Sequence, residues 1–511
     1  MKKILALALA LIMVLGLATT VSAANVTIPD NLSGHSFVAY QIFTGTQADS
    51  EGDLGDVKWG ADIDEAAFLA KLQAAYPAVF TAEVDAALEV AAKLADSESV
   101  DAKKVAQLAY ECMDGSGTAL KAGEDNALAD GYYLIVDTNL GSEADDIKAY
   151  NSALLQITDD ITITVKTDVP EVEKKVKDTN DSTGTTTDWQ DSADYDIGDT
   201  VPFQLTATLP NNYADYSVYK LVFKDTFTHF ENVTITAAYL ANANGAKVAD
   251  FAAGDYNYAA TSNGFNVTFA NLKTSSIAAQ IGNSMKIVVE YTAVLSNDAA
   301  MGVEGNPNIV KLEYSNNPNW TPEYDNNGNP ENPEDTPTGE TPEDKVIVFT
   351  YKVVVNKTDK AGNALQGAGF TLYKKNAAGE YIAIGQELKG DTVTTFVWER
   401  LDDGDYKLVE TTTPAGYNTI EDIFFTITAE HDALSDNPAL TNLSGDVTSG
   451  EAEFTASEPD GSLTTDVVNQ AGTTLPETGG MGTTLFYAIG GLLVAAAVVL
   501  LVTKKRMASA E

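Results

Sequence analysis

Cysteine is all but missing: Cys112 is the only one in 511 residues. If the chain is exported, it therefore has no internal disulfide to brace it, and something else must do so. Histidine is nearly as scarce. His35, His229 and His431 stand far apart, without the spacing of a metal site, and each is expected in a structural or surface role. Basic residues are few: 31 Lys and Arg face 74 Asp and Glu, a net charge of −43. Such a field repels nucleic acid and anionic lipid and excludes nucleic-acid partners, while favouring solubility. No Ser, His and Asp set, metal-spaced cluster or cleft motif marks an enzyme, and neither a cofactor nor a metal is expected.

What is present suffices for a folded chain. Hydrophobic residues make up 44% of the sequence, and this length accommodates about three domains at roughly 100–200 residues each. Both ends are apolar. Met1, Lys2 and Lys3 precede the uncharged run Ile4 to Leu17 and the small residues Val21 to Ala24, which reads residues 1–23 as a secretory signal peptide. Near the other end the sequence Leu475, Pro476, Glu477, Thr478, Gly479 leads to the uncharged run Leu485 to Val502. That run is long enough to cross a bilayer as one helix, expected over 485–503. Lys504, Lys505 and Arg506 hold its far side in the cytoplasm and leave the bulk of the protein outside. Without the two end segments (1–23 and 479–511), 26 basic residues face 73 acidic ones.

Between these ends the pattern changes twice. Residues 24–165 open on strand-like GHSFVAYQIFTG, pass through Ala-rich helical patterns from Asp64 to Met113, and return to strand at GYYLIVDT and ALLQITDDITITV. This predicts an α+β domain in which Leu88, Ala92 and Ala95 share one core face and Val105, Leu108 and Ala109 another. Residues 166–315 alternate in short runs broken by Asn, Gly and Asp, the pattern of a β-sandwich. Residues 316–344 are rich in Pro, Asn and Glu and read as a linker or long loop. Within them Asp325, Asn327 and Gly328 faintly suggest a calcium loop, but the terminal bidentate Glu is missing. Residues 345–471 alternate again and predict a second sandwich, followed by the C-terminal signal over 472–511.

Period-two alternation also shows which side chains face inward, and three polar residues per sandwich fall on that face. In the later sandwich Lys357 follows Val353 and Val355, Glu410 follows Tyr406 and Leu408, and Asn469 follows Val467. In the middle one Lys174 lies between Val172 and Val176, Asp225 follows Leu221 and Phe223, and Asn308 leads Val310, Leu312 and Tyr314. Lys175, Asn306 and Asn316 compete for the roles of Lys174 and Asn308. A Lys near the start of each domain and an Asn on its last strand, with an acid between, predict a covalent clamp. An uncharged amine would attack the Asn carbonyl and expel ammonia, with a protonated carboxyl polarising the carbonyl. The bland reading puts these groups at strand ends, where Lys snorkels and Asn closes a turn.

These motifs together resemble the backbone pilins of Gram-positive bacteria, which are built from isopeptide-bonded immunoglobulin-like domains and polymerised by sortases. LPETG, with the apolar span and basic tail behind it, matches their sorting signal. YKLVETTTPAGY at 406–417 resembles their E-box and makes Glu410 the clamp acid, while NKTD at 356–359 and VVNQ at 467–470 resemble the flanking Lys and Asn motifs. VPEVEKKVKD, KDTF and NPNIVKLEYSNNP resemble the middle-domain segments that would carry Lys174, Asp225 and Asn308. GHSFVAYQIFTGTQADSEGDLGDVKWG is similar to the first domain of such shafts, with no comparable triplet there.

The resemblance implies a mainly β fold of tandem Ig-like sandwiches of the CNA-B type behind an N-terminal α+β domain. It implies that sortase cuts between Thr478 and Gly479 and holds the subunit as a thioester until Lys166 of another copy attacks. Lys166, in ITITVKTDVP, occupies the acceptor's place although the family's Tyr-Pro is absent, and Lys148 is the alternative. The implied partners are other copies of the chain, pilus-type and housekeeping sortases, peptidoglycan, minor pilins and host surface ligands. The implied location is the cell wall, after a transient membrane anchor. A non-polymerising wall-anchored adhesin or minor pilin is the alternative.

Overall fold

The computed structural model describes residues 23–32, 34–48, 53–96, 99–139, 152–163, 169–320, 322–323, 325, 331–472 and 481–507. Lys148, Lys166, Leu475 to Gly479 and the expected signal segment before Ala23 lie outside them.

The N-terminal domain combines two sheets with three helices. Strands Leu54–Trp59, Ser36–Gln47, Gly131–Asn139 and Ser152–Ile157 form the larger sheet in that order, with Thr118–Leu120 also paired to Ser36–Gln47, and Asp125–Ala129, Ala23–Thr27 and Ile161–Thr162 form the smaller. Helix α1 (Glu65–Ala75) starts where the Asp64 carboxylate accepts from the Ala67 N–H, and α3 (Ala102–Tyr110) where Asp101 accepts from Lys103 and Lys104. Both caps satisfy first-turn donors that the helix itself cannot. Helix α2 (Ala87–Asp96), between them in sequence, buries Ala87, Val90 and Ala91, while Leu88 is 38% exposed. The expected Leu88 face is thus corrected by one residue. Alanine suits core and surface alike, so an Ala-rich helix leaves its rotation poorly specified. The expected face of α3 does pack inward, with Val105, Leu108 and Ala109 buried.

The middle domain is a sandwich. One sheet runs Lys247–Asp250, Phe230–Ala241, Lys286–Leu295, Thr200–Thr208, Glu171–Val176, all antiparallel. Val201, Phe203, Leu205 and Ala207 point from it into the core, opposite Leu221, Phe223, Val310 and Leu312 of the facing sheet. That facing sheet runs Ser192–Asp194, Asp344–Phe349, Asn306–Ser315, Leu221–Phe227, Gly264–Phe269, Asn257–Thr261. Gly264 adopts φ 156°, and a Cβ there would come within 1.9 Å of the Asp225 carbonyl oxygen. A side chain at that position would force apart the strand that carries Asp225.

The segment expected as a linker differs. Thr338–Glu340 and Asp344–Phe349 both pair with Asn306–Ser315, and Val346 and Val348 are buried in the middle core. The middle sandwich therefore runs on past Ser315. The Pro-rich and Asn-rich composition of 316–344 hides a short edge strand, Thr338–Glu340, for which one ladder partner suffices, before the chain returns to the sheet.

The C-terminal domain is a second sandwich beginning at Tyr351. Its first sheet runs Thr395–Leu401, Tyr351–Asp359, Ser462–Asn469, Thr455–Ser457, and its second is built on Gly369–Lys375, Gly404–Thr412, Ile423–His431 and Leu440–Ser449. The first and last long strands lie side by side and parallel, with Lys357 opposite Val467 and Asp359 opposite Asn469. Helix α4 (Met481–Met507) carries one apolar stretch, Phe486–Lys505, long enough to cross a membrane.

Candidate functional site

In the middle domain the three expected residues come from both sheets. Lys174 sits on the edge strand of one, and Asp225 and Asn308 lie on neighbouring strands of the other, where Asn308 pairs with Phe227. All three are buried. The Lys174 ammonium donates to Asp225 Oδ2, and it also donates to the Tyr291 hydroxyl at 2.9 Å. The same hydroxyl accepts from Asn308 Nδ2 at 2.8 Å and lies 3.2 Å from Asp225 Oδ1, to which it can donate. Tyr291 thus touches every member of the set. Asn308 Oδ1 has no hydrogen-bond partner.

Burial drives this cluster toward its uncharged forms. It lowers the Lys174 pKa against the opposing pull of Asp225, and it raises Asp225 to about 6 against the pull of Lys174. Both directions favour moving the shared proton from amine to carboxylate. That transfer leaves a neutral nucleophile and a neutral acid beside the Asn amide. Burial also holds the Tyr291 phenol well above its ordinary value, so it keeps its proton.

The C-terminal set is arranged differently. Asn469 Nδ2 donates to Glu410 Oε1 at 2.8 Å and Oε2 at 3.1 Å, and the Glu410 carboxylate also accepts from the Ile420 N–H. Lys357 donates to the Thr358 and Val467 carbonyls, each at 2.9 Å. Here the acid grips the amide and the amine waits on backbone oxygens. Burial lowers Lys357 to about 8, opposed by Glu410. Lys357 and Asn469 are two residues apart in register along adjacent parallel strands, a rise of about 7 Å that a lysine side chain spans. Neither lysine snorkels, because both are buried.

The side chains of Lys175 and Asn306 have other tasks. Lys175 is partly exposed and pairs with Asp191 at 2.6 Å and Glu173 at 3.3 Å. Asn306 bonds the Ala300 backbone and the Val348 carbonyl, and the Asn316 N–H donates to the Pro337 carbonyl. Two histidines are tied into the structure: His35 lies 2.6 Å from Asp137 and His431 lies 2.7 Å from Ser192 Oγ, while His229 takes a left-handed φ of 64°.

Comparison with known proteins bears on the same domains. A family profile described as a prealbumin-like fold domain matches residues 351–437, the part of the C-terminal sandwich that holds Lys357 and Glu410. A second, the LPXTG cell wall anchor motif, matches 467–509. The trypsin-resistant surface T6 protein of Streptococcus pyogenes serotype M6 is 29% identical over 295 residues, 48% of this chain and 52% of its own length. The solved T6 backbone pilin of that serotype is similar over 89% of this chain and 100% of its own, at 17% identity and a TM-score of 0.53. The chain has the fold of the solved T6 backbone pilin, and its C-terminal segment matches a cell wall anchor motif. It spans about half the length of the curated relative it matches. The anchor match and the apolar helix α4 make this pilin-like chain a surface protein attached to the cell wall.

Sequence reasoning missed Tyr291. A signal was available, since Ile287, Val289, Tyr291, Ala293 and Leu295 alternate inward and Tyr291 alone brings a hydroxyl to that face. It also saw no metal-spaced cluster, whereas the fold gathers Asp178, Asp194 and His431, and separately Asp194, Asp402 and Asp403, at the junction of the two sandwiches.

Proposed function

We propose that this protein is the shaft subunit of a covalently polymerised pilus. A sortase cleaves the Thr478–Gly479 amide and holds the Thr478 carbonyl as a thioester. The Lys166 amine of the next subunit displaces the enzyme thiol and forms an isopeptide bond. Helix α4 keeps the substrate at the membrane until cleavage, and the last transfer is to peptidoglycan. The protein is the substrate in these steps and not an enzyme for other molecules. The finished fibre supports adhesion.

The observation that carries this reading is the recurrence of a buried Lys, acid and Asn in two successive sandwiches behind one sorting signal. We infer that each set closes once: the neutral Nζ attacks the Asn Cγ, the Cγ–Nδ2 bond breaks, and ammonia leaves carrying the proton relayed through the carboxyl. Tyr291 positions the middle set. Folding holds the groups together, and such proximity can supply roughly 7–11 kcal/mol of barrier reduction. The bonds Lys174–Asn308 and Lys357–Asn469 then replace the disulfides that a chain with one cysteine cannot form.

Polymerisation is tested in cells that express the pilus sortase. The wild-type chain gives a covalent ladder resistant to boiling in detergent, and Lys166→Ala gives a single band with the wall anchor intact. A ladder that survives Lys166→Ala, or a wild type that never forms one, overturns the assignment.

A further inference from the structure

At the junction of the middle and C-terminal sandwiches, carboxylates outnumber the cations that face them. Asp178, Asp181, Asp194 and Asp196 come from the middle domain, and Asp402 and Asp403 from the turn between strands Thr395–Leu401 and Gly404–Thr412. Lys374 serves three of them, with Nζ 3.0 Å from Asp181, 2.6 Å from Asp196 and 3.0 Å from Asp402. His431 Nε2 stands 3.6 Å from Asp194 and 3.7 Å from Asp178. Asp403 accepts from Asn180 Nδ2 at 2.5 Å. With both Lys374 and His431 charged, six carboxylates would still face only two cations.

Two of these aspartates are deeply buried, and one of them is incompletely satisfied. Asp194 is 2% exposed and Asp402 0%; the Asp194 carboxyl meets the Asp178 carboxyl and the Tyr351 hydroxyl, whereas Asp402 Oδ1 has no hydrogen-bond partner. An ionised carboxylate oxygen left so is costly in a protein interior, and a bound cation removes that cost. One oxygen from each of Asp194, Asp402 and Asp403 lies within 4.8 Å of the other two. Ligands of one calcium ion, each about 2.3–2.6 Å from it, fit inside that separation.

We propose that Asp194, Asp402 and Asp403 bind a hard divalent cation of the calcium class that ties the two sandwiches together. The three donors are carboxylate oxygens, the ligand type that hard cations take. A calcium ion accepts a flexible cage of protein oxygens, whereas magnesium keeps most of its water. Because Asp194 and the Asp402–Asp403 pair belong to different domains, the ion would resist bending at their junction. The roughly 200 residues between the donors also explain why no loop motif announces the site. This inference is independent of the clamps and of polymerisation.

The test is calcium titration of the full-length protein in detergent after chelation, followed by calorimetry and by thermal melting. The wild type is expected to take up one saturable Ca2+ ion that raises its melting temperature. Asp194→Asn/Asp402→Asn is expected to lose both responses while retaining its fold, since it also removes repulsion. Should that variant not fold, Asp403→Asn at a partly exposed position carries the same test and is expected to weaken binding at least tenfold. Binding unchanged in the variants, or a chelated wild type whose melting does not move with Ca2+, overturns the site and leaves protons as what neutralises the cluster.

Discussion

Replacing Glu410 by Gln removes the group that takes up and relays the proton in the C-terminal set while keeping the side chain's shape and an oxygen for the Ile420 N–H. The Asn469 amide would keep one of its two acceptors, and nothing would polarise it or relay the proton. Loss of a positioned acid slows such a step by about 10²–10⁴-fold, so the variant should remain unlinked on the time scale of expression. The stability effect follows from chain entropy. A Lys357–Asn469 bond closes a loop of about 110 residues, which removes about 5 kcal/mol of unfolded-state freedom. For a domain of about 120 residues, this lowers the melting temperature of the unlinked form by about 15–20 °C. Differential scanning calorimetry of Glu410→Gln, paired with peptide mapping across Lys357 and Asn469, reads both effects. A variant that is still cross-linked would refute the role of Glu410. One that has lost the bond yet melts within about 3 °C of wild type would refute the entropic argument.

Other outcomes follow from the same geometry. Tyr291→Phe should leave the middle domain folded but only partly linked after expression, with Asn308 and Lys174 no longer held through one hydroxyl; quantitative peptide mapping reads the linked fraction, and complete linkage would dismiss the positioning role. In an unlinked Asn469→Ala chain, Lys357 releases its proton near pH 8 when folded but near 10.5 when unfolded. The unfolded state then binds the extra proton between those values, so stability should rise with pH across that window by up to about 3 kcal/mol. Denaturant titrations from pH 7 to 10 should show a slope that Asn469→Ala/Lys357→Met lacks; equal slopes would contradict the lowered pKa. The Lys166→Ala ladder experiment tests the polymer separately from either clamp.

How much was legible in the sequence varied with the physics of each element. Strand alternation fixes a face unambiguously, because a slip of one residue would turn Val353, Val355 and Lys357 to solvent together. That is why six inward polar residues could be named, and all six are buried. Helix α2 was harder, since its alanines carry little preference for core or surface and its rotation follows from packing of Val90. The return of Asp344–Phe349 to the middle sheet was hidden by the polar residues before it. The aspartates at the domain junction were illegible for a further reason: their donors come from distant strands and are assembled only by the docking of two domains. Tyr291 lay between these extremes. Its inward register was readable, but a buried tyrosine is ordinary core until the groups around its hydroxyl are known.

The central claim is that this chain closes its own cross-links on folding. The most direct measurement is the intact mass of residues 24–472 produced without sortase, with peptide mapping of the digest. The account predicts a mass short of the residue sum by two ammonia molecules, with cross-linked peptides joining Lys174 to Asn308 and Lys357 to Asn469. A mass equal to the residue sum, with all four residues recovered in linear peptides, would contradict it.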